Sequence, residues 1–205
     1  MKDNFLYSFS VVCMNLIPFI VSIFIKRIVL PEIIGAFVFV NSITIIFDMP
    51  NSVLRNAVDR LVPKYRGKKD NNSAYKIPSI SLSILLIITI IEVLLLCAIG
   101  LFFRGDTWQF YAFIVSAIGF GFGSISGFFR IYIKSLNRIK ESAHLLLIAP
   151  IFSPLLYLFV YLFRNVGFYM GNLIISPIVS FLVIHFTIKQ ISWENIKPNF
   201  SDIKN

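Results

Sequence analysis

The sequence predicts an all-α integral membrane protein with about six spanning helices, and three observations carry that prediction. The 205 residues are 57% hydrophobic and 14% charged, whereas a soluble domain carries roughly a quarter of its residues as charges. Apolar runs of about 18 residues or more, long enough to cross a hydrocarbon core, recur from one end of the chain to the other. The basic residues behind the net charge of +9 fall between these runs rather than along one surface. That distribution points away from nucleic acid as a partner and toward membrane topology.

The first run, Phe5 to Ile25, resembles a secretory leader in position, but it lacks a small-residue cleavage site and more apolar runs follow, so it reads as a retained helix. The second, Ile33 to Val53, is interrupted by polar residues at regular intervals. The third, Ile77 to Phe103, is the most uniformly apolar, with Glu92 inside it. The fourth, Trp108 to Ile133, carries Gly119, Gly123 and Gly127 at intervals of four, a face on which another backbone is expected to pack closely. The fifth and sixth, Ala143 to Phe163 and Gly167 to Ile188, contain Pro150, Pro154 and Pro177. Residues 189–205 then form a polar tail. Without water to satisfy a backbone inside lipid, such runs must be helices or barrel strands, and they are too long and too evenly apolar for strands.

Orientation follows from the loops. With the N-terminus in the cytoplasm, one side receives Lys2, the cluster from Arg55 to Lys76, the group Arg130, Lys134, Arg138 and Lys140, and the tail lysines Lys189, Lys197 and Lys204. The other side keeps Lys26, Arg27, Arg104 and Arg164. The excess predicts a multi-pass protein of a bacterial cytoplasmic membrane with both termini cytoplasmic. The stretch RLVPKYRGKKDNNSAYK reads as a basic loop drawn to anionic lipid headgroups.

Ionisable residues inside a spanning helix are costly, which makes Asp48 and Glu92 candidates for binding a coupling ion. On the second helix Asn41, Thr44, Asp48, Asn51 and Arg55 are spaced three, four, three and four apart and so share one face. Ser8, Asn15, Ser22 and Lys26 form a similar seam on the first helix. Two polar seams on consecutive helices predict the walls of a hydrophilic cavity; hydrogen bonding between neighbouring helices is the structural alternative. Pro18 and Pro50 predict kinks in the same two helices.

Enzymatic signatures are absent from the sequence. The glycine-rich GFGSISG stretch has no preceding strand and no Lys-Ser or Lys-Thr after it, as a phosphate loop needs. It also lacks the Gly-x-Ser-Gly order of an intramembrane serine protease. His144, His185, Cys13 and Cys97 show no metal-ligand spacing. The expectation is no catalytic residue, no metal and no cofactor, with any transport either ion-driven or downhill.

Several segments resemble polysaccharide flippases, the Wzx type of O-antigen transporter, within the superfamily that also holds multidrug-and-toxin extruders and lipid II flippases. These are Asn15, Lys26-Arg27 followed by LPEIIGAF, FDMPNSVLRNAVDRLVPKYRGKKD, KSLNRIKES and Lys197-Pro198-Asn199-Phe200. The resemblance implies one lobe of a two-lobe transporter fold, rocking around a cationic cavity to move a lipid-linked oligosaccharide across the membrane for surface polysaccharide biosynthesis. It implies Arg27 and Arg55 as contacts to the pyrophosphate and Asp48 as an ion or proton site. Lys26, Asn15 and Asn41 join the substrate-binding candidates from the polar seams, and Glu92 joins Asp48. Family members have twelve or more helices, so the expected partners are membrane lipid, the lipid-linked oligosaccharide, and a second six-helix lobe or another copy of the chain. Half-size length also leaves open a non-transporting scaffold of a glycan-assembly complex.

Overall fold

A computed structural model describes residues 2–191. It contains α1 (Lys2–Ile25), α2 (Pro31–Gly67), α3 (Asn71–Phe102), α4 (Thr107–Ser135) and α5 (Ile139–Gln190). All five are long and apolar enough to cross a membrane.

Helix α5 resolves the difference between five helices and the six expected. A straight helix of its 52 residues would be about 78 Å long, against a hydrocarbon core of about 30 Å. The chain instead reverses at Arg164, whose backbone leaves the helical region at φ 50° and ψ −124°. Residues 165–190 then fold back along residues 139–163. Gly167 lies directly against the carbonyl of Phe159, and Gly171 lies against Leu156 and Phe159, where a Cβ would come within 2.6 Å of Leu156. Asn165, at the tip, accepts a hydrogen bond from the backbone N–H of Leu30 at 3.1 Å, tying the hairpin to the turn between α1 and α2. The last two apolar runs of the sequence are thus the two limbs of one hairpin.

The largest difference from the sequence reading lies in the basic stretch after the second run. It is helix, not loop: α2 continues to Gly67 and α3 begins at Asn71, so the connection is only Lys68 to Asp70. Val58 and Val62 are fully buried in a core cluster with Leu82, Leu85, Phe128 and Tyr132. Their helical spacing holds the chain in α2 past the apolar run while the charged residues take the exposed positions. Asp70 caps α3 by accepting from the N–H of Ser73 at 3.1 Å.

Helix α4 is central. It packs against α2, α3 and α5, while α1 packs only along α5 and leaves α2 untouched along most of its length. Asp106 caps α4, accepting from the N–H groups of Trp108 and Gln109. At the end holding Lys134, arginines satisfy helix-terminal carbonyls: Arg66 donates to Leu136 O at 2.7 Å and Arg138 to Gln190 O at 3.0 Å. Basic residues read as topology signals thus also bind the bundle's ends together. Both ends of the described chain lie on this side. At the opposite end Trp108 stacks on Tyr169, whose hydroxyl donates to Trp108 O at 2.9 Å. Residues 192–205, which hold most of the predicted tail and the Lys197–Phe200 segment, lie outside the described residues.

Candidate functional site

Because α1 and α2 do not close on each other, a cavity of about 410 Å³ opens between α1, α2, α4 and the start of α5. Helix α2 contributes Asp48 and Arg55, two turns apart on one face as their spacing predicted. Arg55 Nη2 donates to Asp48 Oδ2 at 2.5 Å. Helix α4 contributes Ser124, Arg130 and Lys134, and α1 contributes Tyr7 and Met14. Lys134 Nζ pairs with Asp59 Oδ2 at 2.9 Å.

The glycine face of α4 has a different role from the expected backbone packing. Gly123 has open space where its side chain would be and forms part of the cavity wall, and Gly127 leaves room for the Arg55 side chain, whose Cδ would be 3.7 Å from an added Cβ. Gly119 faces Ser176 of α5. The absence of side chains here creates the cavity between helices rather than drawing them together.

The face continues past the glycines. Arg130 and Lys134 follow Gly127 at spacings of three and four, so the glycine stripe ends in two cations. Arg130 was not singled out by the sequence, where it counted among the loop charges; extending the helical spacing from Gly119 would have found it. Among the described residues it has no ion-pair partner, and its buried Nε has no hydrogen-bond partner. Ser124, six residues before it and only 3% exposed, likewise has a buried hydroxyl without a partner. A half-buried cation and a hydroxyl on the wall of one cavity thus keep hydrogen-bonding positions without a partner among the described residues.

The remaining candidates divide. Asn51 is fully buried and donates from Nδ2 to Glu92 Oε2 at 2.5 Å, so this member of the α2 stripe turns toward α3 instead of the cavity. Glu92 is 5% exposed and forms the polar end of an otherwise apolar groove with Phe47, Pro50 and Ile88. Asn41 lines a separate cavity nearer the α1–α2 turn. Asn15 is exposed and donates to Val11 O of its own helix at 2.8 Å. Lys26 and Arg27 are exposed in the α1–α2 turn. Residue 27 and residue 55 are separated by about two thirds of α2, about 36 Å of helix rise, so the structure does not bring Arg27 and Arg55 together. His144 and His185 are both exposed, and no group of residues that could hold a metal ion occurs among the described residues.

No curated protein and no solved structure matches the chain. The MatE family profile does match, over residues 7–111, which takes in α1, α2, α3 and the start of α4 and therefore the Asp48, Arg55 and Glu92 positions. On that match, which spans half of the chain, together with helices built to cross a bilayer around a charged cavity, the protein belongs to the MatE family of membrane transporters.

Proposed function

We propose that the chain is a transporter lobe that flips a lipid-linked oligosaccharide across the membrane, with the polyprenyl-linked phosphate group held in the cavity between α2 and α4. The observation that carries this reading is Arg130. Its guanidinium lies on the cavity wall without a carboxylate partner among the described residues, and the unpartnered hydroxyl of Ser124 lines the same cavity. A cation in a spanning helix that is neither neutralised nor fully hydrated is unfavourable until an anion joins it. Phosphate oxygens fit this donor set, since guanidinium groups bind them through paired charge-assisted hydrogen bonds. Three cations, Arg55, Arg130 and Lys134, line the cavity; Asp48 pairs with the first and Asp59 with the last, which leaves Arg130 as the excess positive charge. This balance disfavours a cationic drug as cargo.

In the same reading Arg55 exchanges Asp48 for the phosphate, and the freed carboxylate becomes a site for a coupling cation. The basic end faces the cytoplasm, where the substrate is assembled. Asn15, Lys26 and Arg27 are exposed and do not line this cavity, and we assign them to contacts with a second lobe or with substrate leaving at the opposite end.

The test is binding of a fluorescent polyprenyl pyrophosphate to the full chain in nanodiscs. Wild type is expected to prefer it over the corresponding prenol, and Arg130→Gln to weaken it by roughly 10- to 100-fold, the loss of one charge-assisted contact. Equal binding of the prenol, or tighter binding of a lipophilic cation, would overturn the reading.

A further inference from the structure

A second cavity of about 270 Å³ lies along α2 and α4 on the side toward the α1–α2 turn, and Phe120 lines both cavities. Its wall is polar but uncharged: Asn41 and Thr44 from α2, Ser116 from α4, and Asn172 and Ser176 from the second limb of α5. Among the described residues no Asp, Glu, Lys or Arg lines it. Phe37 and Phe120 supply aromatic surface between these groups.

Several of its hydrogen-bonding positions remain available. Asn172 donates one amide hydrogen to Phe168 O at 2.8 Å, leaving the second hydrogen and the carbonyl oxygen. Thr44 donates to the backbone and side-chain oxygens of Asn41 at 2.8 and 3.2 Å, which leaves both Asn41 amide hydrogens. Ser176 reaches Gly119 O only at 3.4 Å. Such a wall suits a ligand that both donates and accepts, carries no charge, and has an apolar face for the rings. Those are the properties of a sugar. A lipid tail would leave the amides unpaired, and a second phosphate would find no cation.

We infer that this cavity is a carbohydrate subsite that holds the glycan next to the phosphate while Phe120 marks the junction between them. Asn41 and Asp48 are seven residues apart on one helix face, about 10 Å along the axis, a separation that suits a phosphate and the sugar attached to it. The inference rests on the phosphate assignment above only for the identity of the whole substrate; the subsite itself stands on its own residues.

The experiment uses the full chain in nanodiscs with three probes sharing one prenyl tail: a pyrophosphate carrying a disaccharide, the bare pyrophosphate, and the disaccharide joined to the prenol without phosphate. Wild type is expected to bind the first about 10-fold tighter than the second, the worth of one or two net hydrogen bonds. Asn172→Leu should remove that increment and leave the bare pyrophosphate unchanged. Asn41→Leu, at an exposed position that tolerates an apolar side chain, provides the same readout if Asn172→Leu does not fold. No sugar-dependent increment in wild type, or equal weakening of both pyrophosphates by these variants, would overturn the subsite. Binding of the phosphate-free glycolipid, lost in Asn172→Leu, without binding of the bare pyrophosphate would uphold the subsite and defeat the phosphate assignment.

Discussion

The guanidinium of Arg55 closes on the carboxylate of Asp48, two turns earlier on the same helix, at 2.5 Å. The pair sits beside Gly127, whose missing side chain is what lets Arg55 lie along the cavity wall. Arg55 is the less exposed partner, at 14% against 36% for Asp48. An anion entering the cavity would therefore compete with Asp48 for a guanidinium already held in place, the carboxylate being the partner more exposed to water.

Asp48→Asn removes that competitor and retains the shape. Anionic lipid should bind about 10-fold tighter, of the order expected when one charge-assisted hydrogen bond is no longer opposed, with a steeper loss of binding as salt is raised. Fluorescence titration of polyprenyl pyrophosphate at two salt concentrations checks this. Unchanged affinity would mean that Arg55 does not contact the ligand.

Gly123→Leu separates a cavity wall from a packing face. An added Cβ at Gly123 meets nothing within 4 Å, and replacing a helical glycine stabilises by up to about 1 kcal/mol. The thermal midpoint in detergent should hold or rise while lipid binding is lost. A drop in midpoint would restore the close-packing role that the spacing first suggested.

Glu92 and Asn51 should behave as a buried pair. Glu92→Leu leaves the Asn51 amide unsatisfied and is expected to cost about 1–3 kcal/mol, whereas adding Asn51→Leu to it should recover much of that loss. Thermal unfolding of the two single variants and the double variant gives the coupling directly. A transport defect in Glu92→Gln with an unchanged midpoint would add an ion-binding role to the structural one.

Gly167→Ala tests the α5 hairpin. Its new methyl group would collide with the backbone carbonyl of Phe159, which has no flexible end to move aside. Overpacking of this kind costs typically about 1–3 kcal/mol. Protease access at Asn165, read by mass spectrometry of the reconstituted chain, should rise. Gly35→Ala, where an added Cβ meets open space, should leave it unchanged.

Part of the site was readable in the sequence and part was not. The Asp48–Arg55 alignment follows from helical periodicity within one segment, and so was visible as a spacing of seven. Arg130 belonged to an equally regular series from Gly119, but the glycines resembled a packing motif and the arginine a loop charge. Only the position of α1, set against α5 and apart from α2, determines that this face meets a cavity. Asn51 shares the stripe of Asp48 and Arg55 yet bonds Glu92, because a helix face is wide enough for its edges to meet different neighbours.

The membrane class, the apolar runs and the grouping of basic residues were determined by the sequence alone, since lipid imposes length and apolarity on each helix separately and leaves those marks in consecutive residues. The reversal of α5 at Arg164, the opening between α1 and α2, and the placing of Asn41 and Asn172 on the wall of one cavity were decided only by the tertiary structure. Those features depend on which helices touch, and contact between helices in lipid is set by shape and hydrogen bonding between distant segments rather than by the local pattern of any one of them.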